Sequence, residues 1–167
     1  MRLLRALVVV ALLAAAAYAG YRFFLPPPPV TAATATVYYC KLDGETLAKW
    51  VVSVNPHATD TTSVAFYVTA QAVAGPPADT AAIRFPNGTV VRSAHVDGGT
   101  ASVDLGGAIA TNQSGSFAEG GEFKALVWTL TSLPGVTAVQ VKIDGVRVPT
   151  LPGGHLELDE PLTRQSW

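Results

Sequence analysis

Two hydrophobic periods alternate along this chain, and the switch between them is sharpest in its second half. Phe123, Leu126, Val127, Leu130 and Leu133 recur at the spacing of one helical stripe. Pro134-Gly135 stops that helix. The period then becomes two: Val139, Val141 and Ile143 point one way, with Gln140, Lys142 and Asp144 between them. Asp144-Gly145 predicts a tight turn into a return strand, Val146 to Val148.

The first half carries more strand signals. Thr36 to Cys40 predicts a strand, Asp43-Gly44 a turn, and Leu47 to Val54 a second strand with Trp50, Val52 and Val54 on one face. Asn55-Pro56 breaks it, and Thr59 to Thr62 offers several candidates for a helix N-cap, Asp60 among them. Ser63 to Ala74 is mixed in propensity, but its length and the Gly75-Pro76-Pro77 stop favour a helix. Ile83-Arg84-Phe85 reads as a short extended piece, and Asn87-Gly88 as a turn. Thr89 to Val96 and Thr100 to Leu105 then form a hairpin around Asp97-Gly98-Gly99. Its first strand is irregular, because Val90, Ala94 and Val96 share a face with Arg92. Asn112 to Gly121 reads as a polar loop with Phe117 tucked in at the helix entry. Leu156 and Leu158 alternate with Glu157 and Asp159 as a short last edge segment.

Residues 1–25 stand apart. Arg2 and Arg5 precede an uncharged run from Ala6 to Tyr21. One reading is a signal peptide cleaved after Ala19, since Ala17-Tyr18-Ala19 has the small-x-small form. The favoured reading is a retained anchor helix from Leu3 to Leu25 with Phe23-Phe24 in the interface. Either way Arg2 and Arg5 stay inside and the rest of the chain lies outside the cytoplasm. No cysteine follows the apolar run, which excludes a lipid anchor at that point. Residues 26–35 open with Pro26 to Pro29, a stiff spacer of roughly 3.1 Å per residue. A domain over 36–160 and a tail over 161–167 complete the expected organisation.

Several phrases occur in a specific order. They are Val37-Tyr38-Tyr39, Ala74-Gly75-Pro76-Pro77, Phe85-Pro86-Asn87-Gly88-Thr89, Val96 to Leu105, Leu126 to Val136, and Val141-Lys142-Ile143-Asp144-Gly145. Together they resemble the GerMN domain of sporulation and spore germination, from about Thr36 to Leu158. The resemblance implies an α+β fold: one small domain, with a mixed or antiparallel sheet and two helices packed on it. It also implies an envelope protein, lipid- or helix-anchored, that is a non-enzymatic assembly or sensor module with no catalytic residues to carry over; the expected partner is an envelope protein or a second copy of the chain.

Composition narrows the chemistry. Charged residues are 14% of the chain and the net charge is −1, so no basic surplus is available to neutralise phosphates and nucleic acid is not an expected partner. Cys40 is the only cysteine, which excludes an intramolecular disulfide and a cysteine metal cluster; in a strand it reads as a small buried hydrophobe. His57, His95 and His155 lack metal-ligand spacing, and His95 beside Asp97 is a weak titrating pair. No Gly-x-Ser-x-Gly elbow occurs. Gly106-Gly107 and Gly120-Gly121 lack the surroundings of a phosphate loop and read as turn or cap glycines. No cofactor, metal or catalytic residue is therefore expected. Trp128 lies off the helical stripe and is the candidate interaction residue, provided no neighbouring element covers it. Two other readings stay open: a sensor for a small ligand or wall polymer, with a pocket lined by Tyr38, Tyr39 or Trp50, and a wall hydrolase, which needs two acids or a metal in a cleft.

Overall fold

The computed structural model describes residues 33–54, 60–111 and 114–167, together with Ala14, Ala15 and Tyr18, which are helical. The rest of the expected anchor or signal segment, its cleavage point at Ala19, most of the proline-rich spacer, the Asn55-Pro56 break and His57 lie outside the described residues. Among the described residues no helix is long and apolar enough to cross a membrane.

Strand β1 (Thr34–Cys40) and strand β2 (Leu47–Ser53) form an antiparallel hairpin in register from Thr34 opposite Ser53 to Cys40 opposite Leu47. β1 thus begins two residues earlier than its sequence pattern indicates. The Asp43 carboxylate organises the turn by accepting the Glu45 and Thr46 amides at 2.9 and 2.8 Å. These bonds, with one from the Thr46 side chain, lower its pKa to about 2. Helix α1 (Thr61–Ala74) resolves the mixed propensity of that stretch in favour of helix. Asp60 caps it, accepting the Ser63 amide at 2.8 Å, and Gly75 ends it at φ 82.

Strand β3 (Thr89–Asp97) and strand β4 (Thr100–Gly107) are antiparallel, and strand β5 (Ala138–Ile143) lies parallel to β4, giving the order β3-β4-β5. A parallel pair needs a crossover, and helix α2 (Ser116–Leu130) supplies it. The fold is α+β, with two helices, but the expected single sheet is divided into a two-stranded and a three-stranded sheet. The outer edge of β1 shows why. Its Tyr38 amide donates to Thr129 Oγ1 of α2 at 2.9 Å, while that hydroxyl donates to the Ala125 carbonyl at 2.8 Å. Residues 82–83 add only the Lys41–Ala82 bridge and the bond from the Ile83 amide to the Cys40 carbonyl. With that edge occupied, no strand of the second sheet can extend the first.

The irregularity around Arg92 is a β-bulge. Val91 faces Leu105 and Ser93 faces Asp104, so Arg92 has no opposite number. The extra residue flips the inward parity: Val91 packs on the core before it, Ala94 and Val96 after it, and Val90 is left exposed. Val90 therefore does not share the inward face that simple alternation assigns it. Arg92 turns out towards Asp104 at 3.3 Å and Asp144 at 3.6 Å. Gly106 leaves room for that trio, since a Cβ there would collide with Asp144 and press on Arg92.

Three further expectations are corrected. Gln140 does not face solvent; it is buried because residues 149–158 cover that side of β5, and its Nε2 donates to the Leu158 and Val141 carbonyls at 3.1 and 3.2 Å. Asp144 and Gly145 both adopt positive φ, as the turn signal requires, yet the return strand amounts to one bridge, Ile143 to Val146. α2 starts at Ser116, earlier than expected, and Phe117 is 62% exposed rather than tucked in; its ring covers Gly44 of the β1–β2 turn. Past Pro161 the chain still packs: Leu162 exchanges two 2.8 Å bonds with Val139 on the free edge of β5.

The core lies between the helices and the inner strand faces. Phe123, Leu126, Val127 and Leu130 are fully buried, and the Phe123 ring meets Phe85 edge-on at 5.6 Å. Burial of each such side chain contributes about 1.5–3 kcal/mol. Replacing Thr129 with valine keeps its shape but leaves the Tyr38 amide without its acceptor. The expected cost is about 1–3 kcal/mol, read as a lower denaturation midpoint together with faster hydrogen exchange at Tyr38. Unchanged exchange there would remove Thr129 as the cap of β1.

Candidate functional site

Nine residues of α2 are buried, and three of them are polar: Glu119, Glu122 and Thr129. From Gly121 to Leu130 only Lys124 and Trp128 reach partly into solvent. Glu119 and Glu122 stand three residues apart and so lie on one helical face, inside the protein at 1% and 2% exposure.

Glu119 is a clamp. Its Oε2 accepts the backbone amides of His155 at 2.8 Å and Leu156 at 3.2 Å, tying α2 to the segment that follows β5. Gly154 is shaped by the same contact, because a Cβ there would sit 2.7 Å from Glu119 Oε1. Glu122 lies beside this carboxylate. Burial, and then the negative charge of Glu119, push its pKa up to about 8, against a smaller opposing effect from a hydrogen bond with the Ser114 side chain. Glu119 Oε1 and Glu122 Oε2 are shielded from solvent and find no hydrogen-bond partner among the described residues. The pair therefore holds a proton on Glu122 at neutral pH, and Glu119 binds backbone. Neither side chain lines the groove beside α1 or the one formed by residues 155–167. Among the described residues no three His, Cys, Asp or Glu side chains gather as a metal site.

This pair is not marked by the sequence pattern, because the apolar stripe of α2 signals burial on one face only. The one available cue was the absence of a basic residue three or four positions from either acid, together with Gly120-Gly121 between them. Gly121 is a contact glycine, since a Cβ there would strike Ile83 and come near Cys40 Sγ.

The residues that the sequence did single out are dispersed. Cys40 is buried, and burial raises its thiol pKa. His95 and His155 are exposed, and no ion pair joins His95 to Asp97. Tyr39 is buried and its hydroxyl donates to the Gln71 carbonyl at 3.2 Å; burial raises its pKa, partly offset by the positive charge of Arg84. Trp50 is exposed on β2. Trp128 is half-buried. Trp167 meets it edge-on at 6.2 Å, and the Arg164 guanidinium and the Lys124 ammonium lie 5.6 and 6.0 Å from its ring. The chain end thus partly covers the residue nominated as an anchor.

Two outcomes follow for the acids. A buried acid whose pKa is raised on folding favours the folded state below the ordinary glutamate range, and that contribution is lost as pH rises through about 8. The melting temperature of the wild type should fall between pH 5 and pH 9, with a titration near pH 8 that Glu122→Gln abolishes; an identical profile in the variant would refute the assignment. Gly154→Ala should destabilise by about 1–3 kcal/mol by pressing on Glu119, measured by chemical denaturation.

The comparisons with known proteins agree with this architecture. No curated protein matches the sequence. The tandem GerMN domains of the sporulation protein GerM from Bacillus subtilis superpose with a TM-score of 0.61 at 21% identity, covering 84% of this chain and 49% of that one, so this chain spans about half of the tandem protein. The first GerMN domain of the same protein gives 0.59 at 18% identity, covering 80% of this chain and 98% of that one. At these identities the likeness shows the fold. The sequence model of the Germane family, described as sporulation and spore germination, matches residues 36–149, and on that match the chain belongs to the Germane family.

Proposed function

We propose that the protein is a non-enzymatic interaction module of the bacterial cell envelope, tethered by its N-terminal apolar segment and acting by contact with an envelope protein or with a second copy of itself. Membership of a sporulation and germination family supports this reading, as does the dispersal of its reactive side chains.

The observation that carries it is the open edge of β2. Among the described residues this strand pairs with β1 alone. Val51 is 67% exposed on one face of the strand and Trp50 is 43% exposed on the other, with Leu42 exposed in the adjoining turn. An exposed edge offers unpaired amides and carbonyls to another chain, and apolar side chains on that edge supply the area that strand addition buries. Lys49 is the only charge along the strand to discourage such pairing. Trp128, flanked by Trp167 and Arg164, is a second candidate contact, since half-buried tryptophans beside arginine are common binding hot spots. The sensor reading has less support: two grooves of the domain, about 500 and 540 Å³, are lined by neither Tyr38, Tyr39 nor Trp50.

The test is recovery of tagged full-length protein from cross-linked native membranes, alongside Val51→Lys and Trp128→Ala. The wild type should bring down one stoichiometric envelope protein or its own multimer. Val51→Lys should lose it while stability changes by no more than about 0.5 kcal/mol. Recovery of the same complex with both variants, or of wall fragments and small molecules only, would overturn the proposal.

A further inference from the structure

A groove of about 500 Å³ runs between α1 and residues 84–91. One wall is a stripe of α1, Phe66, Ala70 and Val73, at helical spacing; the other includes Phe85 and Val91. Phe66 is 42% exposed, a large aromatic left open at the groove although the same helix buries Ala65, Val68 and Ala72 on its inner face. The stripe gives the groove a length of roughly 12 Å at 1.5 Å per residue.

Arg84 also lines it. Its guanidinium is fixed by three backbone carbonyls, Pro76 at 2.7 Å, Pro77 at 2.8 Å and Thr80 at 3.3 Å. These occupy three of its five N–H donors. Among the described residues no carboxylate lies within ion-pair distance of it, and no acidic residue lines the groove. The positive charge is thus uncompensated and already ordered, so an incoming anion would bear little of the entropy of immobilising a long side chain.

We propose that this groove binds a carboxylate carried on an apolar acyl chain, with the chain along Phe66, Ala70 and Val73 and the carboxylate at Arg84. Charge complementarity selects the anion, and the apolar walls select its tail. An extended peptide fits less well, because each of its amides and carbonyls would need a partner, and the groove offers only Asn87 and Thr89 as polar side chains beside Arg84. An acyl chain has no such groups to satisfy. The inference is independent of the assembly reading and holds whether or not β2 recruits a partner.

The test uses full-length, methyl-labelled protein in lipid nanodiscs, so that partition of the probe into lipid is common to every comparison. Octanoate should shift the Val73 and Val91 methyl resonances saturably, octanol should do so more weakly, and octyltrimethylammonium should not. Arg84→Gln should weaken octanoate binding about tenfold, equivalent to ~1.4 kcal/mol. Because Arg84 also braces the loop after α1, Asn87→Asp provides a second variant that places a carboxylate at the groove without disturbing that brace, and it should weaken octanoate several-fold. Equal shifts from octanoate and octyltrimethylammonium, undiminished binding in both variants, or no movement of either methyl would overturn the proposal.

Discussion

The enclosure of α2 is the constraint on which the rest depends. The helix packs chiefly on β1, and also meets α1, β5 and the chain end. A helix surrounded in this way cannot keep its polar residues on a solvent face, so they need partners within the protein. Thr129 finds one in the β1 backbone, Glu119 in the amides after Gly154, and Glu122 in a proton and the Ser114 side chain. The first two of these fasten β1 and residues 155–156 to α2. The closed edge of β1, the division of the sheet and the placement of residues 149–158 all follow from the side chains of one helix.

The fold was legible wherever local signals act alone. Asp60, Gly75, Asn87-Gly88 and Asp144-Gly145 set caps and turns through their own backbone preferences, and the elements between them fall where the hydrophobic periods put them. Legibility failed where a distant segment decides. Gln140 looks like an outward residue of an alternating strand until residues 149–158 cover it. Phe117 looks like an anchor until the β1–β2 turn proves to need only a lid. The Arg92 bulge could be suspected from the parity clash between Val90 and Ala94, but its resolution depends on β4 as the partner.

The functional surfaces divide in the same way. Trp50 and Val51 belong to a strand whose exposure depends on what β1 has already paired with, and sequence cannot show that. Trp128 was recognisable as off the helical stripe, while the approach of Trp167 and Arg164 to its ring comes from the path of the chain end. The acid pair was hidden because Glu is ordinarily a surface residue, and only the all-round packing of α2 brings it inside. Arg84 and Phe66 were hidden for a related reason: Phe66 and Phe85, on the groove's two walls, stand far apart in an ordinary-looking stretch of sequence, and only the fold brings them to one groove.

The parallel pairing of β4 with β5 also sets an order of events during synthesis. The two hairpins, β1 with β2 and β3 with β4, join neighbours in sequence and can close as soon as they emerge. β5 reaches β4 only after residues 108–137 have been made and α2 has turned the chain back. Until then Ala101, Val103 and Leu105, all fully buried in the finished domain, have no cover on their β5 side. The nascent chain therefore presents half a core for the time needed to build one helix, an interval in which a holding chaperone would find its substrate.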